Sequence, residues 1–210
     1  TRLGYINSRS KIDVIIPTLD SEIPLYIRLQ KELQELGIHT FICTEKQFNL
    51  RDKSKLFQYF TSEDITVPKT VLLNSVAEIN KAIQDIEFPV FIKGHLYEAY
   101  KANNIIEAQK YFLELQAKWG LPVILQELIE GDEFNVVILG DGKGNCLGMV
   151  PQRKLVITDK GKGFGGVVVN NPALEKFAQK VIKSLSWRGP CELEIIKDKE
   201  GAFHLLEINP

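Results

Sequence analysis

Apolar residues recur with the period of a helix in some stretches and of a strand in others, and they predict the order of elements. Residues 13–16 and 39–43 are short apolar runs typical of strands, and residues 23–36 between them have helical spacing. Two strands joined by a helix form a right-handed unit with parallel strands. Asp20 and Glu22 then lie near a strand's carboxyl end, where ligands often bind, so they are candidates for a substrate site.

The next region, residues 69–125, predicts a small α+β layer. It follows a helix over about residues 52–62 and the dipeptide Val67-Pro68, which marks a domain junction because proline disfavours helix at the preceding residue. Strand, helix, strand, helix and strand then follow. The two helices begin at capping boxes that open with Ser75 and Asn104.

The last region predicts antiparallel sheet. Residues 133–139 and 146–157 are strands around a turn rich in glycine, and a further strand covers residues 166–169. A helix begins at Asn171-Pro172, and two final strands end the chain.

Composition describes a folded protein with no strong charge bias. The 210 residues are 44% hydrophobic and 25% charged, and 26 basic against 27 acidic residues leave a net charge of -1. This balance argues against nucleic acid or an anionic membrane as a partner. No apolar run approaches the roughly 20 residues that span a bilayer, and no signal-peptide pattern opens the chain, so we expect a cytoplasmic protein.

The three cysteines and the ends of the sequence allow two further predictions. Cys43, Cys146 and Cys191 are far apart and lack C-x-x-C spacing, so we expect buried, reduced thiols rather than disulfides or a zinc site. The sequence opens without methionine and stops directly after a strand-like segment, so we expect a fragment of a longer chain.

The strongest candidate site lies in the last two strands. Side chains alternate along a strand, so Glu192 and Glu194 share one face, and Glu207 and Asn209 share one face of the next strand. If these strands pair antiparallel, facing side chains come within roughly 5 Å of each other across the ladder, and three carboxylates and an asparagine form one cluster. Carboxylate and amide oxygens suit Mg²⁺, which also takes phosphate oxygens. The alternative is a solvated sheet face.

Lys93 is the second candidate, because it ends an apolar strand at residues 89–93. An inward ammonium at a buried strand needs an anion, and a phosphate fits that need. The alternative is a solvated strand end. Lys53 has the same ambiguity, with a helix surface as its alternative.

The connector after Gln126 is the third candidate. A change from one strand to another at residues 126–129 leaves backbone groups that can pair with an adenine edge in an apolar slot. Glu133 could then accept from ribose hydroxyls. An ordinary acidic loop is the alternative.

A strand with two adjacent cations, Arg153 and Lys154, presents one of them to the site, whichever parity applies. Its alternative is a solvated edge strand. The glycine-rich residues 161–166 lack the order of a phosphate-binding loop, so we expect a mobile loop at the rim of the site. Packing or surface roles are expected for His95, Tyr97, Tyr100 and His204.

Taken in order, these motifs resemble the ATP-grasp superfamily, and within it the carbamoyl-phosphate-synthetase-like group of carboxylate-amine ligases. Lys53 followed by Val67-Pro68 resembles the entry to the first ATP-binding subdomain, and residues 89–93 resemble the phosphate-binding lysine strand. Residues 126–129 with Glu133 resemble the adenine hinge and the ribose acid.

The last strands carry the most specific part of the resemblance. Glu194 matches the first metal ligand of the superfamily. The sequence Leu-Glu-Ile-Asn-Pro at residues 206–210 matches its adenine-floor residue, bridging glutamate and metal-binding asparagine. The resemblance covers roughly residues 50–210, and residues 11–44 look like the remainder of a Rossmann-like domain.

The resemblance implies an α/β and α+β fold in which a Rossmann-like pre-grasp remnant precedes a two-subdomain ATP-grasp fold. The incomplete Rossmann-like domain would cover residues 1–66, the small subdomain residues 67–125 and the large subdomain, truncated at its C-terminal end, residues 126–210.

It also implies an ATP- and Mg²⁺-dependent ligase that joins a carboxylate to an amine or similar nucleophile through an acyl phosphate. One or two Mg²⁺ ions would bind, with Mn²⁺ as a substitute, and a homodimer is one option for the assembly. The implied residues are Lys93, Arg153 and Lys154 for catalysis; Lys53, Lys93, Gln126, Glu127, Leu128, Ile129, Glu133 and Leu206 for ATP; and Glu194, Glu207 and Asn209 for metal.

Two departures from the superfamily pattern keep alternatives open. Residues 94–100 stand where a glycine-rich loop usually closes over the phosphates, and the chain stops before the arginine that commonly follows Asn-Pro. A non-catalytic ATP-binding sensor or scaffold with the same fold is therefore the second hypothesis. A third is an interaction domain that binds neither nucleotide nor metal, and Mg²⁺ binding at Glu194 and Glu207 separates it from the others.

Overall fold

The computed structural model describes residues 2–61, 63–94, 98–157 and 163–210, without the side chains of residues 53, 54, 61 and 157. The helices are α1 (Arg2–Arg9), α2 (Ile23–Arg28), α3 (Gln30–Glu35), α4 (Glu45–Leu50), α5 (Lys53–Thr61), α6 (Ile79–Ala82), α7 (Ile105–Trp119) and α8 (Pro172–Leu185). The strands are β1 (Thr70–Leu73), β2 (Val90–Lys93), β3 (Ala99–Ala102), β4 (Val123–Glu127), β5 (Gly131–Asp141), β6 (Cys146–Ile157), β7 (Gly163–Val168), β8 (Arg188–Asp198) and β9 (Phe203–Asn209).

The first 50 residues differ most from expectation. The two strands predicted at residues 13–16 and 39–43 are reduced to one parallel bridge between Val14 and His39. Val14 and Ile16 are 57% and 75% exposed, so little burial stabilises a strand there. The predicted helix between them is divided into α2 and α3 at Leu29. The Rossmann-like interpretation of this region stays a prediction.

The first sheet has the order β1-β4-β2-β3, and its neighbours pair antiparallel. Helix α7 packs its buried Ala108, Phe112 and Leu115 into the apolar core of this layer. Asn104 caps α7 by accepting from the backbone N–H of Glu107, as the capping box predicts. At the other predicted box a 3₁₀ turn precedes α6, and the Ser75 side chain makes no capping bond.

The second sheet has the order β7-β6-β5-β8-β9 and is also antiparallel. Helix α8, capped by Asn171, covers one face of it, and the core between them includes Val181, Trp187 and Leu193. Strand β7 begins at Gly163, so residues 163–166 are strand and the loop predicted for them was wrong. Pairing with β6 supplies their backbone partners.

The helices before the first sheet pack on the second sheet's core. Leu56 and Phe60 of α5 are buried in the same cluster as α8. Gln47 donates to the carbonyls of Leu185 and Ser186, at 3.2 and 2.6 Å, and so satisfies the end of α8. Gly189 has a φ of +90°, and a Cβ there would lie 2.7 Å from the Phe41 carbonyl oxygen, which leaves room for glycine only.

The two sheets are joined by residues 128–130, between β4 and β5. The segment before β1 also touches both sheets, because Lys69 pairs with Glu127 of β4 and Thr66 accepts from Leu205 of β9. The described helices include none that is long and apolar enough to cross a membrane. The domain boundaries at residues 66 and 125 stay a prediction.

Candidate functional site

Strands β5, β8 and β9 bring the predicted carboxylates together. Glu194 lies opposite Glu207 in β9 and opposite Asn135 in β5, and Glu192 lies opposite Asn209. Leu193, between the two glutamates, points into the core on the other face. The antiparallel pairing on which the sequence argument depended is therefore present.

Polar contacts join these side chains into one cluster. The Asn209 amide donates to Glu194, with Nδ2 and Oε1 3.2 Å apart. Burial raises the pKa of Glu192, and the charge of Glu194 raises it further, although hydrogen bonds from Asn209 and Asn135 act in the opposite direction. Two carboxylates held together under partial burial favour a cation beside them.

Lys154 supplies one such cation. Its ammonium lies 3.1 Å from Glu194 Oε2 and 3.4 Å from Glu133 Oε2, and its side chain is only 5% exposed. The lysine therefore links the predicted ribose acid to the predicted metal ligand. A buried ammonium between two carboxylates is a compensated charge.

Arg153, the residue before Lys154, makes its ion pair away from the acid cluster. Its guanidinium pairs with Asp132 at 2.6 Å, and both side chains are about half exposed. The structure thus brings Lys154, and not Arg153, to the acid cluster. A phosphate-binding role for Arg153 stays a prediction without a contact to that cluster.

On the first sheet, Lys93 is held by the neighbouring strand. Its ammonium donates to Gln126, with Nζ and Oε1 2.5 Å apart, and lies 5.1 Å from the centre of the Phe91 ring. The buried Gln126 amide in turn donates to the Thr70 hydroxyl at 3.0 Å. Lys53 begins α5, but its side chain lies outside the described part.

The connector between the sheets borders a cavity of about 450 Å³. The amide of Glu127 donates to the Lys69 carbonyl, and its carboxylate accepts from the Lys69 amide, so this residue is fixed on both sides. Ile129 follows outside any strand. The lining residues are Pro89, Glu127, Leu128, Ile129, Glu130, Asp198, Lys199, Glu200 and His204.

The other wall of this cavity was not predicted from the sequence. His204 was expected to be a packing or surface residue, yet it lines the cavity and its Nε2 lies 2.6 Å from Asp198 Oδ2. Lys199 also lies there, paired with Glu130 at 2.8 Å. No signal in the sequence pointed to His204, because its place depends on an irregularity of β9 that alternation alone does not predict.

Leu206 and Glu207 lie at an irregularity of β9. Ile195 pairs with Leu205 and Glu194 with Glu207, so Leu206 is the extra residue of a bulge. The bulge lets His204 and Glu207 share a face with Glu194 in spite of their odd separation. His95 and Tyr97 lie outside the described residues, and Tyr100 stacks on Tyr111.

The donor set fits a magnesium ion better than a softer metal. It offers two carboxylates and one amide from Glu194, Glu207 and Asn209, with no sulfur or imidazole. Asn135 adds a buried side-chain oxygen without a hydrogen-bond partner beside this cluster. Among the described residues, no group of three or more His, Cys, Asp or Glu is arranged to hold a metal by itself.

Residues 121–210 match a protein family described as "ATP-grasp in the biosynthetic pathway with Ter operon". The chain is 25% identical to a carbamoyl phosphate synthase large chain of Methanobrevibacter smithii, over 99% of this chain and 21% of that one. It is 25% identical to a D-alanine--D-alanine ligase of Xylella fastidiosa, over 75% of this chain and 57% of that one. The chain therefore spans only about a fifth of the carbamoyl phosphate synthase chain.

Solved structures agree with these relatives on the fold. A biotin carboxylase complex from Campylobacter jejuni gives a TM-score of 0.77 at 16% identity, over 99% of this chain and 50% of that one. A D-alanine--D-alanine ligase from Bacillus anthracis gives 0.71 at 18% identity, over 100% of this chain and 72% of that one. The two-subdomain fold predicted from the sequence is confirmed.

Proposed function

We propose that this chain is a member of the ATP-grasp superfamily, that it binds ATP with Mg²⁺ between its two sheets, and that it acts as a ligase that joins a carboxylate to an amine or similar nucleophile. One observation carries this proposal. Polar groups suited to a nucleotide flank the connector at residues 128–130 on both sides, with Lys93 on one sheet and Lys154 among acids on the other.

In this proposal the cavity at the connector takes the adenine. Ile129 offers its amide, and among the described residues that amide donates to no backbone carbonyl. Glu127 offers its carbonyl, because its own amide is already bonded to Lys69. Leu206 would lie under the base, and Glu133 would accept from the ribose.

The phosphates would then lie between Lys93 and Lys154. Lys93 is positioned by Gln126, so little ordering of its side chain is left for binding, whereas Lys154 is held by two carboxylates and would exchange one of them for a phosphate. Glu194, Glu207 and Asn209 would hold Mg²⁺, which when bound neutralises charge on the transferring phosphoryl group. Lys53 and Arg153 remain proposed phosphate ligands on the strength of the sequence alone.

The proposed reaction needs no side-chain nucleophile. The substrate carboxylate attacks the terminal phosphorus of ATP, ADP leaves, and the amine then displaces phosphate from the acyl phosphate while losing a proton. The chain's own part is to orient the phosphates with Lys93 and Lys154. The carboxylate and the amine would be small molecules.

Thermal unfolding with ATP, ADP and GTP, each with and without Mg²⁺, tests the nucleotide site. A ligand that binds only the folded state adds about 2.7 kcal/mol to the free energy of unfolding at a concentration 100 times its Kd, and this raises the midpoint temperature. We expect a rise with adenine nucleotides that Mg²⁺ enhances. No rise would contradict both ATP binding and ligation.

Phosphate release over a panel of carboxylates and amines tests turnover. We expect release from ATP that depends on adding one carboxylate from the panel. Nucleotide binding without release from any member would favour the sensor or scaffold hypothesis and overturn the ligase.

A further inference from the structure

We infer that Lys154 competes with the divalent cation for Glu194, so that the metal binds well only when nucleotide phosphates draw the lysine away. This inference rests on the proposed function. It predicts opposite effects of one substitution on metal binding and on nucleotide binding, which neither a simple phosphate ligand nor a simple structural ion pair would give.

Both oxygens of Glu194 already accept from nitrogen donors. Oε2 lies 3.1 Å from the Lys154 ammonium, and Oε1 lies 3.2 Å from the Asn209 amide nitrogen. A magnesium ion binds a carboxylate oxygen at about 2.1 Å, which would put it against the ammonium. Two cations at one carboxylate oxygen repel each other, so the lysine has to leave as the metal arrives.

Asn209 reinforces this competition. Its Nδ2 faces Glu194, whereas an amide binds a metal through its oxygen. The amide therefore has to turn over when it becomes a ligand. The side chains of Lys154 and Asn209 thus both hold Glu194 in an arrangement that excludes a metal.

Lys154 cannot leave without a new partner, because it is too deeply buried. At 5% exposure, an ammonium separated from Glu133 and Glu194 would be an unpaired buried charge. A nucleotide phosphate offers the replacement anion. Departure of the lysine and arrival of the phosphate are therefore coupled.

Space for that exchange lies beside the lysine. Lys154, Asn135 and Gln152 line a cavity of about 140 Å³ together with strand β7. The stem of Lys154 runs past Gly163, where a Cβ would come within 3.4 Å of its Cδ. This is ordinary van der Waals contact, and the cavity of about 140 Å³ beside it gives the lysine head space to move from the acids toward a phosphate.

The test is a titration with Mn²⁺ in the absence of nucleotide. Binding is monitored through the paramagnetic resonance signal of the free Mn²⁺. With Lys154→Met, Glu133 and Glu194 lose their cation and Mn²⁺ takes its place, so we expect affinity to rise by at least about tenfold, the low end of a neighbouring charge's effect. The affinity of the same variant for ATP without metal, measured by calorimetry, should fall by a similar factor, because the phosphates lose the Lys154 ammonium as a partner.

Three further variants make the result specific. Lys154→Arg keeps the charge and should bind Mn²⁺ as weakly as the wild type. Adding Glu194→Gln to Lys154→Met should abolish the gain. Lys180→Met, which removes an exposed ion pair with Asp64 at 2.6 Å, should change neither affinity.

Mn²⁺ affinity that is unchanged or lower in Lys154→Met would overturn the inference. If that variant does not fold, Lys154→Gln repeats the test with a polar head, and the same outcomes apply. The measurement with metal alone does not depend on ATP turnover. A failure of the ligase proposal would appear instead as a wild type that releases no phosphate with any carboxylate of the panel, and a failure of nucleotide binding as one that gains no thermal stability from ATP with Mg²⁺.

Discussion

Lys93 and Gln126 lie on neighbouring strands, and the lysine ammonium is 2.5 Å from the glutamine side-chain oxygen. Gln126 is buried, and its amide is fixed by the Thr70 hydroxyl on the next strand. The lysine is thus positioned by a chain of hydrogen bonds across three strands of the first sheet. Such positioning reduces the entropy that an ammonium loses when it binds a phosphate.

Replacing the lysine should reduce turnover strongly. For Lys93→Ala we expect phosphate release from ATP to fall by about 10²- to 10³-fold, as for other lost electrostatic donors. A phosphate-release assay at saturating ATP measures this. Lys110→Ala, on the exposed face of α7, is the matched control and should leave the rate unchanged. An unchanged rate in Lys93→Ala would remove Lys93 from the mechanism.

Replacing the glutamine separates position from charge. Gln126→Leu keeps the size but leaves Lys93 without this acceptor, so we expect ATP to bind more weakly, by a factor between wild type and Lys93→Ala. Gln126→Glu restores an acceptor oxygen for the ammonium. Calorimetric titration with ATP measures the affinity of each protein. Equal affinities in the wild type, Gln126→Leu and Gln126→Glu would refute the positioning role of Gln126.

The two apolar cores allow a test of the predicted domain boundaries. Phe112 is 1% exposed in the first layer and Leu193 is fully buried in the second. We expect Phe112→Ala to destabilise by about 3–5 kcal/mol and Leu193→Ala by about 2–5 kcal/mol. If residues 67–125 form a domain, hydrogen exchange in Phe112→Ala should accelerate mainly there.

Acceleration spread equally over the whole chain in Phe112→Ala would contradict that boundary. Leu193→Ala is the reciprocal variant. The core around Leu193 also contains residues of α5 and α8. Leu193→Ala should therefore accelerate hydrogen exchange in the helices before residue 66 and in residues 126–210 together.

Asp198 predicts a pH dependence of stability. The hydrogen bond from His204 lowers the pKa of Asp198 below its ordinary value of 3.8, and backbone bonds from Ala202 and Gly201 act in the same direction. An acid with a lowered pKa stabilises the fold above its unfolded value, and this contribution is lost as the pH falls through the lowered one.

Asp198→Asn should therefore be less stable than wild type near neutral pH, and the difference should shrink below about pH 3.8. Urea unfolding at about pH 6 and about pH 3 measures it. Glu200→Gln, in the same turn, controls for the loss of one negative charge. A difference that stays constant across the pH range would contradict this role of Asp198.

Elements with both a cap and a regular pattern were predictable from the sequence. Helices α7 and α8 begin where Asn104 and Asn171 predict, because each asparagine accepts from a backbone N–H of the first turn. The pairing of β8 with β9 also followed, since alternation fixed which side chains share a face. The helix starts depend on residues that are neighbours in sequence, and the pairing of β8 with β9 depends on one turn, so both could be predicted without knowledge of the tertiary packing.

Features that depend on distant packing were not predictable. The choice between Arg153 and Lys154 is made by Phe134, which lies opposite Arg153 and faces the core, so Lys154 is left on the face of the acids. The strand predicted at residues 13–16 needed apolar neighbours that do not cover it. His204 reaches its cavity only because a bulge changes the alternation of β9.

The three cysteines differ in burial, and this difference gives a last prediction. Cys43 and Cys191 are 1% and 4% exposed, Cys146 is more accessible, and all three are free thiols. Burial raises the pKa of Cys43 to about 11 and that of Cys191 further still. Burial and the nearby charge of Asp141 also raise the pKa of Cys146.

Because the thiolate is the form that reacts, iodoacetamide should modify Cys146 first and leave Cys43 and Cys191 until the protein unfolds. Mass spectrometry of peptides after timed labelling at about pH 8 measures the order. Cys146→Ser should show almost no labelling in the folded state, whereas guanidinium should expose both remaining thiols. Labelling of Cys191 as fast as Cys146 in the folded protein would mean that the interface between β8 and α8 opens far more often than a packed core allows.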